Sequence, residues 1–142
     1  MQVDAFVVVR TPKGCHASGA TRFTSDSKAI LQLSARHLTD DHFWFSFFHE
    51  AAHLLLHGKR LFLEMKDVAS AEEREADLFA EQMLIPQEWR KEFEALRGRA
   101  RDVVRFARQI GIAPGIVVGQ LQHKGWLAAN RLNWLKRRYL WG

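Results

Sequence analysis

The sequence predicts an α+β fold, a small antiparallel sheet followed by helices. Three observations carry this. β-branched and apolar segments cluster before residue 35. Long stretches with apolar residues at three- and four-residue spacing follow. Between the two lies an apolar helix interrupted by two histidines and a glutamate.

Val3 to Val9 is β-branched and apolar and reads as a strand, with Thr11-Pro12-Lys13-Gly14 as the turn after it. Residues 20–24 and 29–34 are the next strand candidates. Thr39-Asp40-Asp41 offers an N-cap and early acidic residues to a helix over about 41–57, stopped by Gly58. Phe43, Trp44, Phe45, Phe47, Phe48, Leu54, Leu55 and Leu56 surround most of that helix, so it is expected at the centre of a domain. Leu61 to Met65 reads as a short strand or extended link. Ser70 opens a second helix, on which Ala76, Phe79, Ala80, Met83 and Leu84 form an apolar stripe. Pro86 ends it, and residues 87–96 form a further short helix. Helices are also expected over 101–110, closed by Gly111, and from Pro114 to about Lys124-Gly125. The basic, aromatic tail from Asn130 suggests one last helix.

The 142 residues suit one domain, with residues 1–87 holding the sheet and the histidine-bearing helix and 88–142 a helical C-terminal part. The apolar fraction of 47% is ordinary for a globular protein, and no apolar run nears the ~20 residues that span a bilayer. The start lacks a basic segment and does not read as a signal peptide. Cys15 is the only cysteine, which excludes a disulfide within the chain and a cysteine-rich metal site; a cytoplasmic setting is expected. The net charge of +5 is unevenly spread. Residues 1–87 carry 9 Lys/Arg against 12 Asp/Glu, a net of −3, and residues 88–142 carry 12 against 4, a net of +8. A basic third can attract nucleic acid or an acidic protein, or simply solvate helix faces.

The chemistry is concentrated in His49-Glu50-Ala51-Ala52-His53. At ~100° per residue, His49 and His53 lie within about 40° of each other on the helix surface, one turn apart. Two imidazoles so placed can share one zinc ion. Glu50, offset by one residue, suits a general base that takes a proton from the attacking water and later gives one to the leaving amine. A buried apolar helix carrying three such polar groups needs compensation, which a metal supplies. The motif therefore points to metal-assisted peptide hydrolysis in a zincin-like domain.

A catalytic zinc takes a third protein ligand. His57 follows His53 by four residues, but three ligands in a row on one straight helix cannot close tetrahedrally around an ion. Glu72 and Glu73 flank the apolar stripe of the second helix, and Glu75 should face solvent. Glu73 also fits a capping box, Ser70-Ala71-Glu72-Glu73, in which it would bond back to the helix start. Spacing alone leaves these readings open.

The His49-to-His53 block, followed by Glu73-Arg74-Glu75-Ala76-Asp77-Leu78-Phe79-Ala80 and then Leu84-Ile85-Pro86, resembles the ImmA/IrrE family of metallopeptidases in order and spacing. The likeness covers roughly residues 40–125. The Asp40-Asp41-His42-Phe43-Trp44-Phe45 lead-in and the segment from Ile112 to His123 look like members fused to, or encoded with, an antitoxin-like helix-turn-helix regulator. The resemblance implies a gluzincin-like site, with His49, His53 and Glu73 on Zn2+, Glu50 as base and Asp77 orienting His53 or His49. It implies a cytoplasmic metalloendopeptidase that cleaves, or acts with, a DNA-binding repressor of toxin–antitoxin type. No helix-turn-helix domain of the usual size precedes residue 1, so the expectation is either a stand-alone peptidase or the peptidase part of a longer regulator. His57, His123 and Tyr139 are candidates for contacting the substrate or the transition state.

The competing reading is a DNA-binding or regulatory module whose metal site is structural or inactive. It rests on Ala107-Arg108-Gln109-Ile110-Gly111 followed by Ile116 and Leu121, which loosely has helix-turn-helix spacing, and on the +8 C-terminal third. A third reading is a sensor that docks on its partner without turnover. Direct DNA binding is the less favoured expectation, and no membrane partner is expected.

Overall fold

The computed structural model describes residues 7–9, 19–23, 29–34, 39–57 and 66–139, with side chains for 39–56 and 70–139. Three β-branched or apolar segments form strands β1 (Val7–Val9), β2 (Gly19–Phe23) and β3 (Ala29–Ser34). Their order is β1-β3-β2, with β3 in the middle. β2 runs antiparallel to β3, pairing Thr21 with Leu31, whereas β1 runs parallel to β3, pairing Val8 with Leu33. The expected turn at 11–14 and link at 61–65 lie outside the described residues.

The expected class is therefore corrected. The described residues are mostly helical, and those with described side chains lie in helices, turns and irregular links apart from one bridge between Thr39 and Arg138. The α+β class with an antiparallel sheet does not hold. The reason is that β1 pairs with β3 in parallel rather than antiparallel, and that helices hold most of the described residues.

α1 (Asp40–Ala52) continues into a wider π-helical turn (His53–His57). Its surroundings also differ from expectation. Ala52 and Leu54 are buried, but Trp44, Leu55 and Leu56 are exposed, so the helix is not apolar on all sides in its burial. α2 (Lys66–Leu84) starts four residues before Ser70 and buries Ala76, Ala80 and Leu84 of the predicted stripe, whereas Phe79 is partly covered and Met83 is exposed. A 3-10 turn (Gln87–Trp89) leads into α3 (Arg90–Glu94). α4 (Ala100–Ile110) buries Val103, Phe106 and Ala107 and ends at Gly111, whose φ of 79° is the left-handed stop expected there. α5 (Pro114–His123) has proline in its first turn, as predicted. Among the described residues the tail forms a 3-10 turn (Asn133–Leu135) where a helix was expected.

The contacts divide into two units. One comprises residues 1–37 and 45–80, the other 38–44 and 81–142. In the second, Phe93 is fully buried, with its ring 6.1 Å from that of Phe106 and 5.4 Å from that of Trp126. That unit also contains the first turn of α1. Asp40 Oδ1 accepts the Asp41 N–H at 2.9 Å, and the Asp40 N–H donates to the Arg137 carbonyl at 2.9 Å. Asp41 Oδ2 pairs with Lys136 Nζ at 3.0 Å, both side chains buried. Thr39 does not cap the helix through its side chain, because its buried Oγ1 has no hydrogen-bond partner. Both aspartates lie against glycines of α5. A Cβ on Gly115 would stand 2.5 Å from Asp40 Oδ1 and 2.6 Å from the Lys136 Cα, and a Cβ on Gly119 would meet the Asp41 Cβ at 2.4 Å.

Gly115→Ala forces a methyl group onto backbone, which no rotamer change relieves. It should destabilise the protein by about 1–3 kcal/mol, seen as a lower midpoint in urea. The Asp40 carboxyl is pushed above its ordinary value of 3.8, chiefly by burial and further by the Asp41 charge, against backbone N–H donors that pull it down. A carboxyl with a raised folded-state pKa contributes stability that is full below 3.8 and is lost as the pH rises through the folded value. Asp40→Asn should therefore be more stable than wild type at pH 7. Denaturation midpoints measured from pH 7 downward should show that advantage shrinking as the pH falls toward 3.8.

Candidate metal centre

α1 and α2 bring three side chains together in the first unit. His49 Nε2 and His53 Nε2 face each other at 3.2 Å, as their four-residue spacing dictates. Glu73, from α2, spans the pair. Its Oε2 is 2.9 Å from His49 Nε2 and its Oε1 is 2.9 Å from His53 Nε2. Ligand atoms of all three residues lie within 4.8 Å of one another.

The early start of α2 removes the capping-box reading of Glu73. With the helix beginning at Lys66, Ser70 is already in its second turn and cannot be the N-cap of a box closed by Glu73. Ser70 Oγ instead accepts a long hydrogen bond from Arg74 Nη1 at 3.4 Å. Glu72 turns inward and is buried, whereas Glu75 is exposed as the spacing predicted. Behind His49, Asp77 Oδ1 lies 2.8 Å from Nδ1. Asp77 is one helical turn from Glu73, so a single face of α2 supplies both carboxylates. An ionised Asp77 draws the His49 proton to Nδ1 and leaves the Nε2 lone pair directed at the cluster.

These donors fit a metal ion. Around an ion with bonds of about 2.05 Å, two tetrahedral ligand atoms sit about 3.3 Å apart, close to the observed separation of the two imidazole nitrogens. Two imidazoles and one carboxylate form a donor set that could hold a metal ion with a further position left open.

Glu50 is buried on α1 beside His49. His57 lies in the π-helical turn, with its side chain outside the described residues. The other two candidates have partners in the second unit. Tyr139 Oη accepts the Trp44 indole N–H at 3.1 Å, and its ring meets Phe43 edge-on. His123 Nε2 lies 3.3 Å from Glu81 Oε1, and Lys124 Nζ is 2.8 Å from the other oxygen of that buried carboxylate. Neither the Glu81 pairing nor the grouping of Arg101, Arg105, Arg108 and Trp134 was anticipated. The four- and three-residue spacing of the arginines was visible, but the position of Trp134 depends on a loop with no periodic signal.

A helix-borne His2Glu cluster backed by a carboxylate is the arrangement of a metallopeptidase-type domain. The chain matches the peptidase family M78 profile, the IrrE N-terminal-like domain, over residues 5–118, and it belongs to that family. No curated protein gives a significant match.

Elemental analysis of the purified protein checks the site. About one metal ion per chain is expected in wild type and a large loss in Glu73→Ala. Asp77→Asn should retain the site and weaken it by about 10–100-fold in chelator competition. Full metal occupancy in Glu73→Ala would remove Glu73 from the ligand set.

Proposed function

We propose that the protein is a zinc-dependent metalloendopeptidase whose substrate is a DNA-binding regulator of helix-turn-helix, antitoxin type. The observation that carries this reading is the convergence of His49, His53 and Glu73 within hydrogen-bonding distance of one another, with Asp77 behind His49. His49, His53 and Glu73 would hold the ion. When bound, zinc supplies a Lewis acid that polarises a peptide carbonyl and acidifies water to a pKa near 7.

The remaining chemistry belongs to the chain. Glu50, next to His49 on α1 and buried, takes the proton of the attacking water on its carboxylate and delivers it to the departing amine. Asp77 holds the His49 ring in one tautomer and one orientation. β1 and β2 are the outer strands of the described sheet, and a substrate segment in extended form can add to one of them through backbone hydrogen bonds. Zinc is favoured among divalent ions because imidazole and carboxylate donors at tetrahedral spacing suit it. We place the enzyme in the cytoplasm, where such regulators act; no described helix is long and apolar enough to cross a membrane.

Glu50→Gln separates the base from the ligands. The variant should bind the same amount of metal as wild type and lose about 100- to 10,000-fold in cleavage rate. Labelling of new protein N-termini in a cell extract treated with zinc-loaded wild type or variant provides the readout. Termini generated by wild type alone, within a DNA-binding regulator, support the reading. Equal cleavage by both proteins, or none by wild type, overturns it.

A further inference from the structure

α4 buries Val103, Phe106 and Ala107 and turns Arg101, Arg105 and Arg108 outward. At 1.5 Å per residue, these arginines are spaced by about 6 and about 4.5 Å along the helix axis. With Ala100, Val104 and Trp134 they line an open groove of about 470 Å³. Among the described residues no carboxylate lies within ion-pair distance of any of the three guanidinium groups.

Trp134 is the most exposed large apolar residue described, at 72%. Its loop is nonetheless tightly held. Gln122 Nε2 donates to the Arg131 carbonyl at 3.0 Å and to Asn133 Oδ1 at 2.9 Å, and Lys136 Nζ donates to Gln122 Oε1 at 2.8 Å. Asn133 Nδ2 donates to the Ala129 carbonyl at 2.8 Å, and Arg131 Nη2 to the Gly98 carbonyl at 3.1 Å. Leu132, immediately before the 3-10 turn that carries the indole, has φ 60° and ψ 17°, the left-handed conformation that a leucine avoids. A strained, pinned loop thus presents an indole to water beside three guanidinium groups that have no carboxylate partner among the described residues.

We propose that this groove binds single-stranded nucleic acid, with Arg101, Arg105 and Arg108 on successive phosphates and Trp134 stacked on a base. Guanidinium groups serve carboxylates as well as phosphates, but an exposed indole face beside a row of them is the arrangement on which an unpaired base stacks while its phosphates are held. Duplex recognition by the helix pair α4–α5 is not what the geometry offers. A recognition helix must present a face to the major groove, and α5 has Gly115, Ile116, Val117, Val118, Gln120 and Leu121 buried. The net charge of +8 over residues 88–142 adds long-range attraction for a polyanion. The inference is independent of peptidase activity.

The test is fluorescence anisotropy of a labelled oligothymidylate of about 15 nucleotides with the full chain over a range of salt. Three phosphate contacts predict that log K falls with log salt at a slope of about −2. Replacing Arg101, Arg105 and Arg108 together by Gln should weaken binding at least about 10-fold and flatten that slope. Trp134→Ala should weaken it about 5-fold or more, with Trp134→Phe retaining most of the affinity. Circular dichroism and thermal melting of each variant establish that these surface changes leave the fold intact, and Glu50→Gln should bind the oligonucleotide like wild type. No binding at low salt, tighter binding of a duplex of equal length, or no loss in either the triple-arginine or the Trp134→Ala variant would overturn the proposal. Displacement of the oligonucleotide by polyglutamate at equal charge concentration would also overturn it, in favour of an acidic protein segment.

Discussion

The Glu73 carboxylate bridges two imidazoles, each at 2.9 Å, and everything proposed for the metal site depends on that bridge. A helix can place two histidines one turn apart without outside help, but the third corner must come from another element. α2 supplies it and, one turn further on, supplies Asp77 to the back of His49. One helix face therefore supplies both carboxylates that meet the histidine pair. The arrangement is economical in sequence, because Glu73 and Asp77 need only a four-residue spacing and a helix that keeps its phase between them. It is also fragile in one respect: a shift of α2 by one residue along its stripe would bring Glu72, now buried, toward the position of Glu73 and turn Asp77 away.

A second constraint operates in the unit formed by residues 38–44 and 81–142. Two consecutive aspartates at the start of α1 are buried, one without an ion-pair partner among the described residues and one paired with buried Lys136. Acidic residues in a first turn are ordinary, since they complement the helix dipole. Burial makes these two costly, and the α5 glycines explain how they fit: Gly115 and Gly119 leave room for carboxylates where any side chain would collide. The ion pair ties residue 136 to the first turn of α1, while the Gln122 amide ties the same lysine to the loop that carries Trp134.

Sequence periodicity made the helices legible. α4 and α5 lie within one or two residues of their predicted bounds because an amphipathic stripe, a glycine stop and a proline start all agree there. The paired histidines were equally plain, since their meeting is a property of one helix. What could not be read depended on contacts distant in sequence. Strand direction was one case: the segments were located, but nothing local says that β1 pairs with β3 in parallel. The start of α2 was another. Ser70 looked like a cap, and only a helix already running from Lys66 frees Glu73 for the histidines. Thr39 looked like a cap as well, yet the Asp40 carboxylate engages the adjacent N–H instead. The burial of α1 was overstated because aromatic composition does not tell which flanks other elements cover, and Leu55 and Leu56 are left in solvent.

Net charge was the least informative part of the sequence, and the structure shows why. The basic residues from 88 onward do two different jobs. Lys124 and Lys136 turn to buried acids and are neutralised by Glu81 and Asp41. Arg101, Arg105 and Arg108 have no such partner among the described residues and stand on the solvent face of a helix whose opposite face is apolar core. A count of charges weights the two groups equally, although only the second can attract an external anion at short range. The distinction matters for recognition because an unpaired guanidinium on a rigid helix loses little freedom on binding, and an indole held by a pinned loop loses little more. The same C-terminal segment thus uses Lys124, Lys136 and Arg131 to hold the unit together, while Arg101, Arg105 and Arg108 face outward. Its surface chemistry follows from that division rather than from the sum of its charges.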